Sequence, residues 1–228
     1  ATLWGTTEKL SVENAVLYNG CLVHGQDYDD THAASIVHPS SSVLTAAMAL
    51  GEKYGANGED LMTAMVAAYE VILRLGNACK GKMHTHFFHP TGIFAPFAAI
   101  CIAGRLEGVD KKTMVSAIGL AGNFAASTMQ FSVDGTWSKK LHPGWGVHTG
   151  LYALRFAKEG FIGSPQIFEG SQGLFMSHIG IVEYLKPTFA DLGQNWLTCE
   201  VAFKFYPVCH MMHSHLDVLQ QLIKENTI

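Results

Sequence analysis

A compact all-α domain is the fold class this sequence predicts, and three observations predict it. Apolar residues recur at helical spacing through most of the 228 residues. The chain is 48% hydrophobic and only 15% charged. Charged residues usually make up about a quarter of a domain, so less of this chain is solvated surface and more is core or subunit interface. The expected helices are also rich in Ala and Gly on their inner faces, and small residues let helix axes approach closely.

The elements follow in chain order. Ser11 is placed to cap a helix from Val12 to Leu22. "SSSVLTAAMALGEKYG" begins on a serine cap after Pro39 and stops at Gly55. "GEDLMTAMVAAYEVILRLG" has acids in its first turn and Arg74 in its last, which suits the helix dipole. "TGIFAPFAAICIAGRLEG" and "DKKTMVSAIGLAGNFAAS" form the next pair, with Asp110 capping the second. Further helices are expected over 146–158 and 214–225. Two stretches, "KGKMHTHFFHP" (80–90) and "SVDGTWSKKLHPGWG" (132–146), read as polar loops punctuated by Gly and Pro. From 162 to 199 the periodicity fades into turns, and "EVAFKFYPV" then alternates like a strand or an extended linker. The expected division is a helical core over 1–200, with 201–228 as linker or the start of a second unit.

Composition limits function. A net charge of −4 leaves no broad basic face, which argues against nucleic acid as a partner. No apolar run is long enough to suggest a membrane span. The opening "ATLWGTTEKL" has no basic segment leading into an apolar one, so no secretory leader is expected there. A cytoplasmic protein is expected, or a mitochondrial-matrix one if the source is eukaryotic. Cys21, Cys79, Cys101, Cys199 and Cys209 are scattered and odd in number, with no C-x-x-C pair. They read as reduced, mostly buried hydrophobes rather than a disulfide framework or cluster ligands.

Four polar stretches are the exceptions, and loops on a rigid scaffold are where chemistry tends to sit. In "HGQDYDDTH", a continuing helix would put Asp27 and Thr31 on one face, with His24 one turn before. Asp29 and Asp30 read as solvated acids at the helix end, and His38 follows in "HPSSS". In "HTHFFHPTG", phenylalanines crowd His86 and His89; desolvation lowers an imidazole's pKa and leaves a neutral base near pH 7. His84, His86 and His89 also have metal-ligand spacing, but no neighbouring acid or Cys supplies a fourth ligand, so no metal is expected. "DGTWSKKLHPGWG" brings two lysines to a glycine-rich loop, a ready site for carboxylates. It is not a P-loop. "FKFYPVCHMMHSH" brings Lys204, Cys209, His210, His213 and His215, of which Lys204 is the least explained as linker.

In this order, "NGCLVHGQDYDDTH…HPSSSV", "FHPTGIFAPFAAICIAGRLEG", "DGTWSKKLHPGWGVHTGLYALRFAKEGFIGSPQIFEGSQGLF" and "FKFYPVCHMMH" resemble segments of the MmgE/PrpD family. That family includes 2-methylcitrate dehydratase, cis-aconitate decarboxylase and iminodisuccinate epimerase. The resemblance implies a helical core domain facing a smaller α+β lid, with the active site between them, in a homodimer, and with no metal or organic cofactor. Members are considerably longer, so most of the lid and the first helices are expected to lie outside this chain. The implied activity is a cofactor-independent lyase or isomerase of a small di- or tricarboxylate. It works by acid/base chemistry next to a carboxylate, with 2-methylcitrate dehydration ahead of cis-aconitate decarboxylation and iminodisuccinate epimerisation.

By position, Asp27, Thr31, His38, His89 and Lys140 match residues lining the family's pocket, and Lys204 a basic residue where the lid begins. The roles expected are His38 and His89 as acid/base pair and Asp27 orienting and charging one of them. Thr31 and His210 would bind substrate, and Lys140 and Lys204 would pair with carboxylates. Cys209 departs from the decarboxylase branch, which has a histidine there. The competing class is a truncated, non-catalytic homologue kept for dimerisation or for metal binding by its histidines.

Overall fold

The computed structural model describes residues 1–226, and among these helix dominates and no sheet forms. The long helices are α1 (Val12–His24), α2 (Ser40–Tyr54), α3 (Gly58–Ala78), α5 (Pro90–Glu107), α6 (Lys111–Ala121), α8 (Ser138–Lys158) and α11 (His213–Asn226). Short turns of helix join them: α4 (Lys82–Thr85), α7 (Phe131–Asp134), α9 (Leu174–Ile179) and α10 (Leu185–Thr188). The all-α expectation holds.

α5 is the axis of the core. It is apolar nearly all round, with Ile93, Phe94, Phe97, Ile100 and Ile102 fully buried, as befits a helix enclosed by others. α2, α3, α6 and α8 pack around it, and α1 lies across α2 and α8. Glycines set how close α8 comes. A Cβ on Gly150 would lie 2.4 Å from the Pro96 carbonyl oxygen, and one on Gly92 would lie 2.8 Å from His142 Cβ. Glycine at these positions brings His142 up to the start of α5.

Three expectations need correction. The 132–146 stretch is not a loop, because α8 begins at Ser138 and carries Pro143 inside it. Proline costs one backbone bond near the start of a helix, and that is tolerable in a buried helix held by packing. α2 has no serine cap: Pro39 occupies the cap position, and the Ser40 N–H is taken instead by Asp30 Oδ1 at 2.9 Å. Arg74 does not serve the dipole at the end of α3. It is buried, bonds Glu70 (3.2 Å), and donates to the carbonyls of Thr188 (2.6 Å) and Asn195 (2.7 Å). With Thr198 bonded to Glu70, this pair clamps residues 188–198 onto α3.

Beyond the clamp, residues 201–212 run back over the core. In this stretch, among the described residues, only one bridge forms, Thr31 with Ala202, so the expected strand is reduced to a single pairing. That pairing brings Lys204 and His210 to the loop after α1.

Candidate active site

α1 ends at His24, and the loop that follows does not continue the helix. Asp27 has φ 53°, a left-handed conformation uncommon outside glycine. Asp27 and Thr31 therefore share no helix face, contrary to expectation. Strained backbone of this kind persists where the surroundings over-determine it. Here the restraint is ionic. Asp27 Oδ2 accepts from Lys139 Nζ at 2.6 Å, and its Oδ1 and carbonyl accept from Lys204 Nζ at 2.6 and 2.8 Å. Burial favours the protonated acid, but the two lysines outweigh it and hold the carboxyl far below its ordinary range.

Asp29 and Asp30 are not solvated; both are buried. Asp29 Oδ2 lies 2.6 Å from His24 Nδ1, and its Oδ1 lies 3.8 Å from Lys204. Burial opposes its ionisation, yet His24, His38 and Lys204 together lower its pKa. Asp30 is given over to capping α2 through the Ser40 amide and hydroxyl, and its pKa is raised, chiefly by burial.

Four imidazoles gather beside these acids. His24 has its ring centroid 5.4 Å from that of His38 and 5.6 Å from that of His89, and His142 lies 5.3 Å from His89. His38 Nδ1 is 2.8 Å from the Asp30 carbonyl. A carbonyl only accepts, so Nδ1 carries the proton and Nε2 keeps its lone pair. Burial, the largest influence, lowers the His38 pKa to about 3, and it also pushes His89 down and brings His142 to about 4. These rings are neutral bases near pH 7.

His89 precedes α5, held by its N–H to the Ser127 carbonyl (2.9 Å). Its Nδ1 is 3.1 Å from His142 Nδ1, so one ring donates and the other accepts. When His142 donates, His89 carries its proton on Nε2 and serves as an acid; the reverse arrangement makes it a base.

A cavity of about 350 Å³ opens at this cluster. Ile36, Met129, Phe131 and Met211 give it apolar lining, and His38, His89, Lys139 and His210 give it polar groups. His84 and Cys209 line it too. His38 precedes α2, His89 caps α5 and Lys139 lies in the first turn of α8, so three helix N-termini end at one cavity. Their dipoles favour an anion, although the first amide of α2 is already taken by Asp30 and α5 begins on Pro90, which has no N–H to offer. A larger groove of about 730 Å³ on the outer side of α3 is lined mainly by apolar side chains such as Met62, Val66 and Trp196. Its single acid, Glu59, gives it none of this chemistry.

Of the expected site residues, His38, His89 and His210 line the cavity. Lys140 does not: its ammonium sits 4.5 Å from the centre of the Trp137 ring, and Lys139 takes the inward position. One residue along a helix is a rotation of about 100°. A reading that began α8 at Ser138 would have found Lys139, since it shares a face with His142, Gly146 and Gly150. Asp27 contacts lysines rather than a histidine, and Lys204 is buried against Asp27 rather than open to the cavity. Thr31 Oγ1 reaches His210 Nδ1 at 3.4 Å. His86 leaves the cluster for the His178 carbonyl, which breaks the H-x-H-x-x-H grouping. His24, Asp27 and Asp29 could enclose a cation, but the Lys204 ammonium already lies within reach of both carboxylates.

A family model for the MmgE/PrpD N-terminal domain matches residues 1–184. The chain belongs to the MmgE/PrpD family. Among curated relatives, a cis-aconitate decarboxylase-like protein of Aspergillus oryzae is 25% identical over 96% of this chain and 48% of its own length. The cis-aconitate decarboxylase of Aspergillus terreus is 24% identical, covering 96% of this chain and 47% of that protein. The Homo sapiens enzyme of that name is 28% identical, covering 98% and 47%. The chain spans about half the length of these MmgE/PrpD relatives. No helix among the described residues is long and apolar enough to cross a membrane.

Proposed function

We propose that this MmgE/PrpD chain carries the acid/base centre of a lyase acting on a small di- or tricarboxylate, without a metal or organic cofactor. One observation carries the reading: two neutral imidazoles, His38 and His89, line a cavity that also holds a lysine and three helix N-termini. His38 Nε2 removes or receives a proton at carbon, and His89, with its tautomer set by His142, supplies the opposite function. Lys139 and His210 bind carboxylate, and Thr31 holds His210. Lys204 and Asp27 fix the loop that carries this arrangement.

In decarboxylation the carbon–carboxylate bond breaks, its electron pair moves into the neighbouring conjugated carboxylate, and an imidazole N–H protonates the carbon. In dehydration one imidazole takes the proton from carbon while the other protonates the leaving hydroxyl. The relatives' activity supports testing cis-aconitate first, with 2-methylcitrate and an imino-dicarboxylate beside it. Full-length protein is expected to turn over one of the three, and chelator is expected to leave the rate unchanged. Loss of activity on chelation would end the cofactor-free reading. Residues 201–228, of which the last two lie outside the described residues, belong in this reading to the start of a second unit that closes the cavity and excludes water.

The partner is a second copy of the chain. α1 and α8 cross where a Cβ on Gly20 would lie 2.4 Å from Gly144 Cα. Beside that crossing Tyr18, Leu22, Leu141, Trp145 and Tyr152 are all more than a third exposed. A patch of this kind marks an interface. Light scattering should return a dimer, and Tyr18→Glu with Trp145→Glu should return a monomer. A monomeric parent at micromolar concentration would remove this proposal.

A further inference from the structure

We propose that His24 and Asp29 are a positioning pair, in which His24 screens a buried carboxylate from the two imidazoles that line the cavity. The inference rests on the reading of His38 and His89 as proton-transfer groups. Neither His24 nor Asp29 is among the cavity-lining side chains. Both lie behind it, their side chains 0% and 1% exposed.

The geometry sets the pair apart from ordinary packing. The His24 ring stacks on His89, with an angle of 27° between the planes, and tilts against His38. Its Nδ1 is 2.6 Å from Asp29 Oδ2, while its Nε2 is buried without a hydrogen-bond partner. Asp29 Oδ1 likewise has none, and among the described residues the lysine that pairs with it is Lys204 at 3.8 Å. A buried ionic pair is weak evidence for stability, since well-packed apolar residues do as well or better. What this pair does is place a carboxylate and its screen behind two reactive rings.

The charged neighbours are few and mostly committed. On the loop after α1, Asp27 is held by two lysines and Asp30 by Ser40. α5 contributes His89 and α8 contributes His142 and Lys139. The returning segment contributes Lys204 and His210. Asp29 is therefore the acid whose balance depends most on one imidazole. Its charge draws His38 toward the protonated form, while burial, His24 and Lys204 act the other way. Removing the His24 donor leaves the carboxylate's pull uncompensated, and the range in which His38 is neutral retreats from acid pH.

The test uses full-length protein with nitrogen-15-labelled histidine. Ring nitrogen shifts should report a neutral His38 at about pH 5 in the parent. His24→Phe keeps a ring on His89 but loses the donor, and should raise the His38 titration midpoint by about 1 to 3 units. His24→Asn can donate an amide N–H to Asp29 from a similar position and should keep His38 neutral. With cis-aconitate, the acid limb of kcat/KM should rise in His24→Phe and stay put in His24→Asn. A purely structural role would lower stability in both without moving either titration. The magnetic resonance measurement needs no turnover, so an inactive parent would count against the functional reading and leave this inference standing or falling on its own. A neutral His38 at about pH 5 in His24→Phe overturns it. If that variant does not fold, His24→Phe with Asp29→Asn removes charge and screen together. His38 should then remain neutral, and a charged ring there also overturns the proposal.

Discussion

His89→Ala should lower kcat of the full-length protein by about 10² to 10⁴, the usual worth of a positioned acid or base. The ring is buried, neutral near pH 7, and tied through Nδ1 to His142. Its loss removes the proton carrier of the proposed function and the hydrogen-bond partner of His142. Lys139→Ala should behave differently. In the proposed function its cation meets bound carboxylate before and during reaction, so KM should rise strongly and kcat fall less. Lys140→Ala should leave kcat/KM within about threefold, because its ammonium lies on Trp137 away from the cavity. Steady-state kinetics on the best of the three substrates read all of these. Unchanged kcat in His89→Ala would return His38 and His210 as the groups to test, and a Lys140→Ala effect larger than that of Lys139→Ala would reverse the placement of the two lysines.

Arg74→Met should destabilise the protein by about 3–5 kcal/mol, read by urea denaturation. Arg74 and Glu70 are both buried, so truncating the cation strands a carboxylate away from water. It also removes donors from the carbonyls of Thr188 and Asn195. Glu70 keeps Thr198, which limits the loss. Glu70→Gln with Arg74→Met should recover part of the stability, since no buried charge is then left unpaired; Asp191, the other carboxylate that Arg74 pairs with, is half exposed and stays solvated. The clamp lies upstream of the segment carrying Lys204 and His210, so Arg74→Met should also weaken substrate binding. A loss below about 1 kcal/mol would show that residues 188–198 need no ionic anchor.

The sequence by itself determined the helices whose ends are written locally. Gly55 and Gly108 stop α2 and α5 in left-handed conformations, and Asp110 caps α6 with bonds to the Lys112 and Thr113 amides. Such signals act over three or four residues, so they can be read without knowing the fold. The two imidazoles that line the cavity could be picked out for a related reason: His38 and His89 each stand just before a helix, in polar stretches that carry the family's pattern.

Only the tertiary structure decided which charges meet. Asp27 and Lys204 are separated by 177 residues, and Asp27 and Lys139 by 112. Nothing in either neighbourhood distinguishes Lys139 from Lys140 until α8 is known to begin at Ser138. Asp29, one of three acids within four residues, is buried because α1 ends on His24 and the loop turns left-handed at Asp27. Helix stops are set by backbone geometry within a few residues. Ion pairs and burial are set by which surfaces the packed helices bring together, and that is a property of the whole chain.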